Sequence, residues 1–152
     1  MTPRNSDPWR WCSNRMSVNF APVSGREVAI VRHGAIEMIL SFAWTTEALL
    51  AGKKTCTRRL WSDRTASSWI KACQSGRWVH QAWNNPPFVK GASKVADIRL
   101  THLPYQQRLI DMPLDDLEAE GGLWTSKEEF ISLFSRADQI VWVVRFELFR
   151  VT

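Results

Sequence analysis

The amino-acid sequence predicts a small α+β protein in which short strands close into a β-barrel flanked by short helices. Two observations lead to this fold class. The chain has 152 residues, of which 45% are hydrophobic, and this suits a single globular domain rather than a disordered or fibrous protein. The predicted elements run helix, strand, helix, strand, strand, helices, strand, so that the strands must pair over long distances in the sequence.

The N-terminal quarter of the chain differs from the rest. Residues 1–37 show no helical or strand period before the segment 27–32, whereas a clean apolar segment begins at Met38. We therefore expect 1–37 to be a poorly ordered extension ahead of a folded domain at 38–152. Met38 could also be the natural start of the protein. The competing interpretation makes 28–31 an added edge strand.

The middle of the chain alternates helices with strands. The predicted elements are a helix at 45–51, a strand at 55–60, a helix at 65–75 and a strand at 77–83. Thr45 or Thr46 can cap the first helix, and Gly52 can end it in a left-handed conformation. Apolar residues three and four positions apart favour the second helix, and alternating side chains favour both strands.

The last third of the chain is predicted to contain two further strands and two short helices. These elements are a strand at 95–101, helices at 114–119 and 126–134, and a strand at 139–150. Thr125 or Ser126 ahead of a pair of glutamates favours a capping box at the second helix. The final segment is rich in Val, Ile, Phe and Trp, which is typical of a long buried strand.

Charge is polarised along the chain, whose net charge is +5. The segment 53–77 holds seven bases and one acid, and the segment 111–129 holds seven acids and one base. Such a chain can present a basic face to a polyanion such as RNA. The alternative is that the two segments are solvated and pair with each other.

Several classes of protein are excluded or disfavoured. No apolar run reaches the roughly 18 residues that a membrane-spanning helix needs, and the N-terminus lacks the apolar core of a secretory signal. Three widely spaced cysteines argue against a disulfide framework, so we expect a cytoplasmic protein. The three histidines and the cysteines show no metal-ligand spacing, and no phosphate loop is present. The sequence therefore predicts neither a metal nor a cofactor.

The most informative stretch is 51–61, where a helix ending at Gly52 leads into a strand with two threonines and two arginines. Alternation in a strand places Thr55, Thr57 and Arg59 on one face and Lys54, Cys56 and Arg58 on the other. This alternation is loose at Lys54, because the preceding turn can swing its side chain to either face. On pattern alone, the alternative is an ordinary basic edge strand that its charges keep soluble.

Two segments carry a resemblance to a known family. Residues 49–61 resemble the leading motif of ASCH domains, in which a helix is followed by Gly-x-Lys-Thr-x-Thr-x-Arg. Residues 114–122 are similar to the acidic helix of that family, which ends in Ala-Glu-Gly, and the terminal strand at 140–149 suits its closing strand. The resemblance covers roughly 38–152. It implies a PUA-like β-barrel with a cleft that faces RNA or a nucleotide.

The resemblance also implies roles for particular residues. Some ASCH proteins are acetylcytidine amidohydrolases that use a Lys, a Thr and a Glu, some are reported to be ribonucleases, and many have no established reaction. The matching positions are Lys54, Thr57 and Glu120, with Arg59 as the motif arginine. Arg58 stands where small members of the family often have an apolar residue. If the resemblance holds, the three candidate catalytic groups should converge on one pocket.

The chemistry of these three groups is coherent by itself. A threonine hydroxyl becomes nucleophilic when a base takes its proton, and Lys54 could be that base if burial or neighbouring charge lowers its pKa. Glu120 could orient the lysine or relay a proton to the leaving group. Alternatively, Glu120 is a solvated carboxylate at the end of a helix, and Thr57 is present only because threonine favours β-strands.

The predicted nucleic-acid- or substrate-binding residues are Lys53, Arg58, Arg59, Trp61 and Trp78. Basic side chains would contact phosphates and one or two indoles would stack on a base, although two or more nearby tryptophans are expected in the core. The sequence thus predicts an RNA- or nucleotide-binding module. The alternatives are a hydrolase of acylated nucleosides, a ribonuclease, and a regulatory protein that binds another protein through this surface.

Overall fold

The computed structural model of the protein describes residues 31–32 and 35–152. The interpretation of 1–37 as an extension, and the alternative strand at 28–31, therefore lie almost entirely outside the described residues. Within that range, β1 (Val31–Arg32) and β2 (Ala35–Ile36) pair with each other in antiparallel fashion. The prediction that the domain begins at residue 38 stays a prediction.

Six further strands form one curled sheet: β3 (Ile39–Ser41), β4 (Cys56–Arg59), β5 (Val79–Trp83), β6 (Lys94–Leu100), β7 (Tyr105–Arg108) and β8 (Ile140–Val151). The strand order is β3-β5-β6-β8-β4, and β7 also pairs with β8. Only β3 and β5 are parallel; the other described pairs are antiparallel. The protein is α+β, as the sequence predicts, with a half-barrel sheet and short helices.

The long strand β8 organises this sheet. Its residues 142–145 pair with β4 on one side, while residues 140–143 and 146–151 pair with β7 and β6 on the other. The run of Val, Ile, Phe and Trp in this segment suits a strand with neighbours on both edges. The sequence did not predict β7, whose residues Tyr-Gln-Gln-Arg lack an apolar alternation and pair only because the edge of β8 is available.

The helices lie close to their predicted positions: α1 (Thr46–Leu50), α2 (Asp63–Gln74), α3 (Asp116–Ala119) and α4 (Lys127–Ile131). Short 3-10 helices occupy Ala43–Thr45 and Leu109–Asp111. The predicted cap at Ser126 is confirmed, because its hydroxyl accepts a hydrogen bond from the Glu129 amide at 3.1 Å. Ser62 caps α2 by accepting from the Thr65 amide.

Two hydrophobic clusters form the core. One packs α2 against the sheet and includes Trp61 and Trp69, and the other packs α4 against the start of β8 and includes Trp124 and Phe130. All four residues of β4 are buried. A buried strand with two arginines must satisfy its charges internally, and this requirement leads to the candidate site.

A buried charged cluster as the candidate functional site

The side chains of β4 divide between two faces as the sequence predicts. On one face, Arg59 Nε donates a hydrogen bond to Thr57 Oγ1 at 3.1 Å. On the other face, Arg58 Nη1 lies 3.6 Å from Cys56 Sγ. The two faces therefore present two different groups of polar side chains, each buried beneath a different part of the chain.

Lys54 and Glu120 meet across the chain. The Lys54 ammonium donates to the backbone carbonyl of Glu120 at 2.8 Å and to its Oε2 at 3.0 Å, although the two residues are 66 positions apart. Neither side chain has any solvent exposure. The structure thus brings together two of the three candidate catalytic residues.

The local backbone explains how this pair is positioned. After α1 ends, the amides of Lys53 and Lys54 both donate to the Ala48 carbonyl, and the next amide, that of Thr55, donates to the Ala119 carbonyl at 2.7 Å. Gly121 follows Glu120 with φ +128°, and a Cβ at that position would lie 3.2 Å from the Ala48 Cβ. The absence of a side chain there allows the turn after α3 to approach α1 closely.

Arg58 occupies the centre of a larger network. Its guanidinium donates to Glu120 Oε1 at 3.0 Å, to Gln107 Oε1 at 2.8 Å and to Asp116 Oδ2. The same Asp116 oxygen accepts from Arg145 Nη2 at 2.7 Å. Arg58 has no solvent exposure and is held by carboxylates, and its predicted role in binding nucleic acid or substrate stays a prediction.

Sequence reasoning missed Asp116, Gln107 and Arg145 as members of the cluster. Asp116 carried a usable signal, because it precedes Glu120 by four residues in an acidic helix and i, i+4 side chains share a helix face. Gln107 and Arg145 carried none, since they arrive through the pairing of β7 and β4 with β8.

The cluster changes the acidity of its members. Burial lowers the pKa of Lys54 below its ordinary value, although the Glu120 carboxylate opposes this shift. Burial alone would also lower the pKa of Arg58, but Glu120 and Asp116 outweigh it and the net shift is upward. Lys54 is therefore the cation of the cluster that gives up its proton most readily, which is what a general base or an amine nucleophile needs.

Cys56 lies beside these groups without being reactive. Burial and the nearby Glu120 carboxylate raise the pKa of its thiol to about 12, so that almost none of it is thiolate at neutral pH. Its interpretation as a small buried residue fits this environment.

Arg59 and Thr57 occupy the other face of β4. Arg59 Nη2 donates to the Ser41 carbonyl at 2.6 Å, and its guanidinium lies 5.7 Å from the centre of the Phe42 ring. This hydrogen bond joins β4 to β3, the two ends of the sheet, and so links the edges of the half-barrel through a side chain. Thr57 and Arg59 are both fully buried.

The remaining predicted binding residues differ in exposure. Lys53 is exposed. Trp61 stacks on Trp69 in the hydrophobic core, with ring centres 5.2 Å apart, so its face is occupied rather than offered to a base. Trp78 is half-buried and packs against the same core.

The basic segment is also less exposed than its composition suggests. Three of its seven bases, Lys54, Arg58 and Arg59, are buried and Arg77 is half-buried, so that its exposed cations are Lys53, Arg64 and Lys71. A continuous phosphate-binding surface along 53–77 is therefore not available in this conformation.

Within residues 37–152, no group of three or more metal-ligating side chains comes together. None of the helices in the described part of the chain is long and apolar enough to cross a membrane. Comparison with known proteins found no matching family, no matching curated protein and no matching solved structure.

Proposed function

We propose that this protein recognises a nucleoside, or a nucleotide of RNA, at the Lys54–Glu120 pair in the manner of an ASCH domain. The observation that carries the proposal is the contact between the two segments that resemble ASCH motifs. Those segments are selected by residue pattern alone, and no local helix or strand geometry requires them to touch. Lys54 and Glu120, one from each segment, nevertheless form a hydrogen bond of 3.0 Å although they are 66 positions apart.

The free energy that is needed to bury the charged cluster supports a functional role for it. Burying charged groups is unfavourable unless each is paired, and well-packed apolar residues often give equal or greater stability. This small domain nevertheless places Lys54, Arg58 and Glu120 where none has solvent exposure. Buried groups with shifted pKa values are typical of binding and catalytic sites.

The exposure of the basic residues supports recognition of a single nucleoside more than of a long phosphate track. In the described segment 53–77, three cations are exposed: Lys53, Arg64 and Lys71. Each phosphate contact contributes a slope of roughly −0.7 to −0.9 to the salt dependence of the logarithm of the binding constant. The binding constant should fall as the salt concentration rises, but with a shallow slope that corresponds to about one to three phosphate contacts. Because the Lys54–Glu120 pair is buried, a ligand can reach it only when the chain segments around it separate. The association rate constant should therefore lie below the diffusion limit.

Isothermal titration calorimetry with cytidine, N4-acetylcytidine and a short single-stranded RNA tests the proposal. Lys54→Met should abolish binding, whereas Lys71→Met, which removes an exposed lysine of α2, should change it little. Unfolding curves for both variants show whether each remains folded. Absence of binding to all three ligands by the wild-type protein would overturn the proposal, as would equal effects of the two substitutions.

Hydrolysis of an acylated nucleoside is a second candidate, favoured by the lowered pKa of Lys54 at the entrance of the strand that carries Thr57. This reaction requires ligand binding to bring the Thr57 hydroxyl and the Lys54 amine together from their different faces of β4. The Thr57 oxygen would then add to the acyl carbonyl carbon while its proton passes to the neutral amine. Arg59, whose Nε donates to the Thr57 oxygen at 3.1 Å, would ease the loss of the hydroxyl proton, and the negative charge would pass to the acyl carbonyl oxygen as the new C–O bond forms. The C–N bond then breaks as the leaving amine takes the proton, and water hydrolyses the resulting ester.

Chromatographic detection of cytidine and acetate released from N4-acetylcytidine tests this second candidate. Thr57→Val should abolish turnover, and Thr57→Ser, which retains a hydroxyl, should keep a measurable rate. Binding without release of acetate would support nucleoside recognition and would reject the hydrolase hypothesis. Cleavage of the RNA ligand in the same samples would instead favour a ribonuclease.

A further inference from the structure

The charged cluster around Arg58 has one end that reaches solvent. Hydrogen bonds connect its members without a gap, in the order Lys54, Glu120, Arg58, Asp116 and Arg145. The first three side chains have no solvent exposure, whereas that of Asp116 is 8% exposed and that of Arg145 is 26% exposed. A ligand that approaches the buried pair from solvent along this cluster therefore meets Arg145 first.

The Arg145 guanidinium is held in place and still has a donor to offer. Its Nε donates to the half-buried Tyr105 hydroxyl at 3.0 Å, and its Nη2 donates to Asp116 Oδ2 at 2.7 Å. Its Nη1 makes no hydrogen bond with the described part of the chain. A guanidinium that two neighbours orient, and that keeps one donating nitrogen, is pre-organised to bind a further anion.

The charges of this hydrogen-bonded cluster do not balance when Lys54 is protonated. Three cations, Lys54, Arg58 and Arg145, then face two carboxylates, those of Glu120 and Asp116. Both arginines donate to the same oxygen of Asp116, so that two guanidiniums share one acceptor atom. An anionic group of a ligand would offset the excess positive charge and relieve this sharing at the end of the cluster that solvent reaches.

We propose that Arg145 is a specificity-determining residue that binds a phosphate group of the ligand, so that the site takes a nucleotide in preference to a nucleoside. The inference rests on the proposed function and deepens it, because it names the phosphorylated form as the ligand class. Contacts between a guanidinium and a phosphate are among the strongest charge-assisted hydrogen bonds in proteins. The phosphate would accept from Nη1 and Nη2 of Arg145, and Asp116 would then accept from Arg58 alone.

Calorimetric titration of the full chain with cytidine and with cytidine 5′-monophosphate isolates the phosphate contact as the ratio of the two dissociation constants. The wild-type protein should bind the nucleotide about tenfold or more tightly than the nucleoside, as expected for a hydrogen bond between charged groups. Arg145→Gln should bring the ratio close to one. A purely structural role of Arg145 would instead weaken binding of both ligands by the same factor and leave the ratio unchanged.

Two further variants sharpen this test. Arg150→Gln is the matched control, because Arg150 lies on the same strand and pairs with the Asp97 carboxylate at 2.8 Å; it should leave the ratio unchanged. Asp116→Asn removes the carboxylate that competes with a phosphate for Arg145, so that the ratio should rise. Urea unfolding curves show whether each variant remains folded.

The outcomes distinguish this inference from the proposed function. If the wild-type protein binds both ligands equally well, or if Arg145→Gln leaves the ratio unchanged, the phosphate role is rejected and the proposed function stands. A ratio that Asp116→Asn does not raise, or that Arg150→Gln lowers as much as Arg145→Gln does, also rejects the phosphate role. If the wild-type protein binds neither ligand, both the proposed function and the phosphate role are overturned.

Discussion

Replacing Glu120 with glutamine tests whether one carboxylate holds the charged cluster together. In the wild-type protein, Glu120 accepts hydrogen bonds from Lys54 Nζ and Arg58 Nη1, each at 3.0 Å, and none of the three side chains is exposed. Glutamine has nearly the same shape, but it has one acceptor oxygen instead of two and no negative charge. The substitution therefore removes the charge with little change in packing.

The expected loss of stability follows from what remains in the cluster. Removing one partner of a buried ion pair typically costs about 3 to 5 kcal/mol, because the other charge stays buried and uncompensated. Arg58 keeps its hydrogen bond to Asp116, so we expect the lower end, about 3 kcal/mol at pH 7. The free energy of unfolding of a domain is typically about 5 to 15 kcal/mol, so the variant should still fold.

Urea unfolding monitored by tryptophan fluorescence measures this loss. Glu118→Gln on the same helix is the matched control, because its side chain is exposed and its substitution should cost less than about 0.5 kcal/mol. Adding Lys54→Met to Glu120→Gln should restore part of the stability, since it removes the uncompensated ammonium. A loss below about 1 kcal/mol for Glu120→Gln would show that the carboxylate behaves like a solvated helix end and would refute the reasoning.

Three further predictions concern pH and packing. Because burial lowers the pKa of Lys54, the unfolded chain keeps that proton to higher pH than the folded chain does. The free energy of unfolding should therefore rise with increasing pH in the alkaline range up to about pH 9, and Lys54→Met should flatten this rise. The window ends near pH 9, where ionisation of unfolded thiols begins to favour unfolding. Burial lowers the pKa of His80 from 6.5 to about 4, so stability should fall by up to about 3 kcal/mol as the pH drops through that range, and urea midpoints for His80→Gln should not show this fall. Gly121→Ala should lower the thermal midpoint more than Gly91→Ala, because both have positive φ but only Gly121 would place its Cβ 3.2 Å from Ala48; equal shifts would contradict the packing argument.

The local features of this protein could be predicted because neighbouring residues decide them. The alternation along β4, which separates Thr57 and Arg59 from Cys56 and Arg58, follows from strand geometry and is confirmed. The cap at Ser126 follows from the same kind of short-range chemistry. The fold class followed from the order of such elements, because strands separated by helices must pair over long distances.

Burial and the choice of partner could not be read from the sequence. Arg58 and Arg59 look like solvated cations, but the packing of the folded chain leaves neither side chain exposed to water. Once desolvated, a guanidinium must find carboxylates or carbonyls, so Arg58 takes Asp116 and Glu120, and Arg59 takes the Ser41 carbonyl.

The candidate site lies between these two cases. The residue types at Lys54 and Glu120 were available in the sequence by itself. Their contact was not, because it depends on how the turn after α3 packs against α1 and on the pairing of β4 with β8. Such contacts are set by the free energy of burying the whole core rather than by any local pattern, which is why only the tertiary structure decides them.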